Sequence, residues 1–135
     1  MVLGMLVVLA LSAPADAAYV PDLQSASVAA SPDETAIRKV IGDYAKAIEN
    51  KDLDLFKTVK PNLTLEEEKR ARTAFASIQS QVVKITFLSV ELKEHQAVVK
   101  VTRRDTINGS IPGAFPQTFT MSKGRTGWVI DEIGR

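Results

Sequence analysis

Cysteine is absent from the 135-residue chain. Without a thiol there is no disulfide framework, no cysteine nucleophile and no thiolate metal site. Histidine occurs once, at His95. One chain therefore cannot build a multi-histidine metal centre or a histidine pair. An excess of one charge sign is also missing, because 17 Lys and Arg face 16 Asp and Glu, for a formal net charge of +1. The basic residues are scattered and not interleaved with aromatics, so the electrostatic footprint of nucleic-acid binding is lacking. Neither nucleic acid, metal nor cofactor is expected as a partner. What remains is long enough for one domain with a real core.

Basic residues are missing before Arg38, and the first twenty residues are mostly apolar. As a helix, the run Val2 to Leu11 would be about 15 Å long, half of the roughly 30 Å bilayer core. It fits the apolar centre of a signal peptide, with Ala15-Asp16-Ala17 as small residues around a cleavage site after Ala17. The missing leading charge leaves a second reading open, the trailing end of a longer membrane segment. A buried amino-terminal helix is the third. The expectation is a leader or anchor over 1–17, a small, alanine-rich linker over 18–30 and a folded domain over 31–135. The domain would then work outside the cytoplasm, periplasmic or secreted.

Order begins at Ser31-Pro32-Asp33-Glu34, where serine suits an N-cap, proline the first helical position and Glu34 a capping box. Ile37, Val40, Ile41, Tyr44, Ala45 and Ile48 then recur on one helical face. Asp52 is placed to cap a short second helix, which Pro61 must end by forcing Lys60 out of helical geometry. Thr64 and Glu67 form a capping box for a third helix. Its acidic start, Glu66 to Glu68, faces solvent, with Glu66–Arg70 and Glu68–Arg72 as i,i+4 pairs. Ala71, Ala74, Phe75, Ile78 and Val82 are expected as its buried stripe.

From Val82 onward the apolar period changes to two. Val83, Ile85 and Phe87 share one phase, whereas Leu88, Val90 and Leu92 share the other. A β-bulge between Phe87 and Leu88 accounts for that flip and bends the strand. The chain turns at Glu94-His95-Gln96, which leaves His95 exposed. A second strand follows from Ala97 to Ile107. Asn108 to Pro116, with two glycines and two prolines, is expected to be a loop. Asn62-Leu63-Thr64 and Asn108-Gly109-Ser110 match a glycosylation pattern short enough to recur by chance, and Asn108-Gly109 is better read as a turn. Two more strands are expected, one with Phe119 and Met121 on one face and a last one from Trp128, joined by a tight hairpin at Gly124 to Gly127. The expected class is α+β, with three amino-terminal helices on one face of a curved antiparallel sheet of about four strands.

Residues 98–107 carry the chemical question. One face of this strand holds Val99, Val101, Arg103, Asp105 and Ile107, and the other holds Val98, Lys100, Thr102, Arg104 and Thr106. A core-facing row should not contain two charges. Either the strand leaves the core near Thr102, or Arg103 and Asp105 line a cavity as a mutually satisfied pair. The strand-like composition through Ile107 favours the second, with both side chains on the Val99 and Val101 face, turned into the mouth of that cavity and bonded to each other.

The segment "AIRKVIGDYAKAIENKDLDLFKTVKPNL" and the closing "GRTGWVIDEIG" resemble the nuclear transport factor 2-like superfamily, which includes SnoaL-like cyclases and ketosteroid isomerases. "TVKPNLTLEEEKRARTAF", "QAVVKVTRRDT" and "FTMSKGRTGWVIDEI" look like a bacterial subgroup of extracytoplasmic domains, found alone or at the carboxyl end of serine/threonine kinases. The resemblance covers about residues 33 to 134. Lys60 departs from it, standing where a tryptophan before the proline is usual. The resemblance implies a cone-shaped, cystatin-like roll, with a pocket at its open end. Enzymes of the superfamily keep an acid/base Asp or His and a Tyr or Asp donor there. The matching candidates here are Tyr44, Arg103 and Asp105, with Phe75, Phe87, Phe119 and Trp128 as pocket wall. Asp43 is one position off the buried stripe and expected in solvent. An arginine neighbour lowers a carboxylate's pKa and makes a poor general base of it. The leading expectation is a non-catalytic module that binds a small apolar or anionic ligand or a protein. A small isomerase- or cyclase-like enzyme and a purely structural domain remain as alternatives. The polar outer face of the second strand predicts a monomer or a weak homodimer.

Overall fold

The computed structural model describes residues 31–135, so the leader over 1–17 and the linker over 18–30 lie outside the described residues. Three helices come first: α1 (Pro32–Glu49), α2 (Leu53–Val59) and α3 (Leu65–Ser77). Four strands follow: β1 (Gln81–Lys93), β2 (Gln96–Ile107), β3 (Ser110–Gly124) and β4 (Gly127–Gly134). They form one antiparallel sheet in the order β1-β2-β3-β4. Among the described residues, no helix is long and apolar enough to cross a membrane.

The apolar stripe of α1 becomes the core. Ile37, Ile41, Tyr44, Ala45 and Ile48 are all buried, and Ala47 with them. Asp52 caps α2 by accepting a hydrogen bond from the Leu55 amide at 3.0 Å. That helix stops at Val59, and Lys60 before the proline takes φ −133°. Thr64 and Glu67 close both bonds of the capping box on α3.

The expected buried stripe of α3 does not form. None of its residues is buried, and Ala71, Ala74, Phe75 and Ile78 are only half covered. Its contact face is two alanines and one phenylalanine, too little apolar surface to seal against the sheet. Val82 is not part of that stripe either. The helix ends at Ser77, Ile78 is already extended at φ −99° and ψ 124°, and β1 starts at Gln81. Val82 therefore follows strand alternation and points outward.

The bulge lies where the apolar phase flips. Phe87 is opposite Val101 and Ser89 opposite Lys100, so Leu88 is the extra residue. It turns to solvent, and Val90 returns to the inner row opposite Val99. The inner surface then reads Val83, Ile85, Phe87 and Val90 on β1, Ala97, Val99 and Val101 on β2, Phe119 and Met121 on β3, and Trp128 and Ile130 on β4. These pack on α1.

The expected loop from Asn108 to Pro116 is strand for most of its length. Asn108 and Gly109 alone make the turn, at φ 51° and 85°, and β3 begins at Ser110. Asn108 also fixes the start of β1, its Oδ1 accepting from the Gln79 and Ser80 amides at 2.9 and 3.1 Å. The prolines are tolerated because β4 reaches only Thr118. Before that point β3 has one free flank, and a missing N–H facing a free flank removes no ladder bond. His95 is exposed at the β1–β2 turn, and Arg125-Thr126 make the two-residue hairpin between Gly124 and Gly127.

Candidate functional site

Strand alternation carries two charges into the core. On β2, Ala97, Val99, Val101, Arg103 and Asp105 are all buried, so the strand does not leave the core after Val101. Arg103 keeps 8% of its surface exposed and Asp105 5%. The two are joined by a forked pair of bonds: Arg103 Nε donates to Asp105 Oδ1 at 2.7 Å, and Nη2 donates to Oδ2 at 2.7 Å. Arg103 Nη1 donates to the Tyr44 hydroxyl on α1, also at 2.7 Å. Gln81, the first residue of β1, donates from Nε2 to Asp105 Oδ2 at 2.7 Å.

Asp105 thus accepts three hydrogen bonds, one at Oδ1 and two at Oδ2. Burial pushes its pKa up, but the bonds and charge of Arg103, helped by Gln81, outweigh burial and hold it below the ordinary aspartate value. Burial opposes the charge on Arg103 too, and the bond to Asp105 overcomes it, raising the guanidinium pKa. The pair stabilises its own ionised form, which makes Asp105 a weaker proton acceptor than an ordinary aspartate.

Aromatic rings surround it. Tyr44 packs on Phe56 with ring centroids 5.7 Å apart and edge-on to Phe119 at 5.2 Å. Phe115, half-buried on β3, has the Arg103 guanidinium 5.5 Å from its ring centre and that of Arg135 at 4.6 Å. Gln117 lies between Phe115 and Phe119 on the same row, opposite Val101. It is 8% exposed, and its Oε1 is buried without a protein hydrogen-bond donor among the described residues.

Of the candidate residues, the structure gathers Tyr44, Arg103, Asp105 and Phe119. Phe87 lies further along β1, under the Arg38 guanidinium at 4.6 Å. Phe75 sits half-buried on α3, outside the core cluster. Trp128 belongs to the other end of the sheet: it is opposite Lys123 and Arg103 opposite Phe115, a separation of roughly 26 Å along the strand at about 3.3 Å per residue. Its Nε1 donates to Asp33 Oδ1 at 3.1 Å, beside Lys123. Asp43 faces outward and pairs with Lys39 at 2.8 Å. Sequence reasoning missed Gln81, Phe115 and Gln117. Extending the Phe119/Met121 alternation backwards would have found the last two, had that segment been read as strand.

Lys60 takes up core volume with its aliphatic stem. It is buried, with Nζ donating to Asn62 Oδ1 at 3.0 Å and lying 3.5 Å from Glu67 Oε1. A cavity of 570 Å³ opens beside it, lined by residues that include Phe56, Asn62, Glu67 and Ile133. Neither Arg103, Asp105 nor Tyr44 is in its wall.

No protein-family model matches the chain, and no curated protein matches its sequence. Solved structures match its fold. A conserved protein from Planctomyces limnophilus aligns with a TM-score of 0.65 at 15% identity, over 76% of this chain and 94% of the other. A nuclear transport factor 2-like superfamily protein from Salmonella enterica gives 0.64 at 16% identity, over 81% and 89%. A Streptomyces avermitilis protein, provisionally named a dehydratase of the NTF2-like family, gives 0.62 at 12% identity, over 75% and 93%. The chain has the NTF2-like fold: three helices on a curved, unclosed antiparallel sheet.

Proposed function

We propose that residues 31–135 form a non-catalytic binding module that takes a small ligand at the Arg103 end of the cone. The state of Asp105 carries this reading. A general base must have a lone pair within reach of the substrate and a pKa near the working pH. Asp105 spends three of its roughly four acceptor sites on Arg103 and Gln81, and its pKa is lowered. Asp43 points away, and His95 is exposed at a turn near the Trp128 end. The provisional dehydratase named above has the same fold, but fold alone does not transfer activity.

Three features favour a ligand. Arg103 uses three of its five N–H hydrogens on Asp105 and Tyr44. The Tyr44 hydroxyl accepts from Arg103 and keeps its own proton to donate. Gln117 Oε1 is a buried acceptor that meets no protein donor among the described residues. The matching ligand has a flat or aliphatic body to lie on Phe115. Its head both accepts and donates hydrogen bonds, as a carboxamide, a hydroxyl or a protonated carboxyl group does.

The module works outside the cytoplasm on this reading, supported by the apolar run and the Ala15-Asp16-Ala17 site. Protein exported by a bacterial host should start at Ala18 by intact mass, and cytoplasmic protein starting at Met1 would refute export. It is a monomer or weak dimer, supported by the cationic outer face of β2.

Side-chain NMR tests the site. With benzamide, benzoate or cyclohexanol at millimolar levels, the Gln117 amide and Arg103 Nε resonances should move, and Gln117→Leu should abolish the Arg103 response. If all three probes leave both resonances in place, the cone is a self-filled structural core.

A further inference from the structure

On the opposite face of the sheet from Arg103, a trough crosses β1, β2 and the start of β3. Its volume is 510 Å³, and it is lined by Val82, Lys84, Thr86, Thr102, Arg104 and Thr106, closed by Ile111 and Ala114. The ladder register sets its pattern. Thr86 is directly opposite Thr102, Lys84 opposite Arg104, and Val82 opposite Thr106.

Two like charges directly opposite each other weaken a strand pair. Here Lys84 and Arg104 are in that position, and neither has an ion-pair or hydrogen-bond partner among the described residues. Lys100 extends the same row by one more cation. Among the described residues, no carboxylate lines the trough. Its remaining polar groups are threonine hydroxyls, which can all donate. The chain as a whole is nearly neutral, so this is a local concentration of positive charge. Its rim is apolar, with Val82 56% and Ile111 58% exposed.

We propose that this trough docks an acidic, partly apolar peptide segment of a partner protein. Charge complementarity selects the acidic side chains. The exposed rim distinguishes a peptide from a free anion, because Val82 and Ile111 offer a phosphate nothing but can seat the apolar side chains alternating with the acids along an extended segment. A second copy of this chain fits poorly. A two-fold contact centred on the trough would bring Lys84 and Arg104 of both copies together. The proposal is independent of the cone, which lies on the other side of the sheet.

Fluorescence anisotropy with a labelled Gly-Glu-Leu-Glu-Val-Glu-Gly peptide tests it on the purified protein. The wild type should bind, and binding should weaken as salt rises from about 50 to about 500 mM. Lys84→Glu combined with Arg104→Glu should weaken it by at least about tenfold, a loss typical of a reversed charge patch. Lys69→Glu, on exposed α3, should leave it unchanged. A peptide with lysine for each glutamate should bind only the doubly reversed variant. Four results overturn the proposal. These are no wild-type binding at about 1 mM peptide, equal binding by wild type and double variant, displacement by equimolar pyrophosphate, and a wild-type dimer in sedimentation that the double variant abolishes. The third assigns the trough to a free anion, and the fourth assigns it to a second copy.

Discussion

The Tyr44 hydroxyl on α1 accepts a 2.7 Å hydrogen bond from the Arg103 guanidinium on β2, across 59 residues of sequence. It is a charge-assisted bond made in the core, and it ties the helix to the sheet at the point where the sheet carries its buried charges. Tyr44→Phe keeps the ring against Phe56 and Phe119 and removes only this acceptor. The expected loss is about 1.5–3 kcal/mol, the range for hydrogen bonds to charged groups. Urea melts should show it as a lower midpoint with an unchanged slope. A midpoint within error of the wild type would mean that water satisfies Arg103 equally well.

The Arg103–Asp105 pair should behave as a unit. Arg103→Ala leaves Asp105 buried beside Gln81 alone, and should cost about 3 kcal/mol because the lost partner strands a charge. Asp105→Ala should cost a similar amount by stranding Arg103. Arg103→Met with Asp105→Leu removes both charges and roughly preserves volume, so it should cost less than either single change. A double-mutant cycle read by thermal melts checks this. Single changes that are each negligible and simply additive would show a pair already solvated.

The pair was legible because alternation is a strict geometric rule. Once Val99 and Val101 are inside, Arg103 and Asp105 must follow unless the strand ends or a bulge shifts its phase. The bulge at Leu88 was legible for the same reason, since a change of apolar phase inside one strand has few other causes. Partners distant in sequence were not. Nothing local to Gln81 says that it faces Asp105, and Tyr44 finds Arg103 only when α1 lies on the sheet. Phe115 and Gln117 were hidden by their neighbours, because Pro112, Gly113 and Pro116 read as loop residues. Those residues suit a strand with a free flank equally well, and which flank is free depends on how far β4 reaches. The stripe on α3 failed at the opposite boundary. Val82 continues the helical spacing on paper, but the helix has ended by Ile78, and an apolar residue at the right interval then belongs to another element.

Acid should expose the Asp105 interaction. In the folded protein burial works against the carboxylate, yet Arg103 and Gln81 bring its net pKa below the ordinary value. In the unfolded chain an aspartate titrates near its reference value of about 3.9. Between those two pKa values the unfolded chain binds more protons than the folded one, so stability rises with pH across that window. The contribution is therefore complete above about pH 5, falls as the pH drops through the unfolded value, and is gone below the folded one. Asp105→Asn removes the titration. That variant should be less stable at neutral pH, because Arg103 loses its counter-charge, but its stability should change less between about pH 5 and pH 2. Asp33, Glu67 and Glu68 are shifted the same way, by Lys123, the Thr64 amide and Arg72 respectively. Being solvated, they should leave a shallow, salt-sensitive slope in both proteins. Urea melts of wild type and Asp105→Asn at several pH values in that range decide the matter. The two curves should converge as the pH falls. If they stay parallel, the carboxylate is not held by Arg103 in solution, and both the neutral pair and the non-catalytic reading built on it fail.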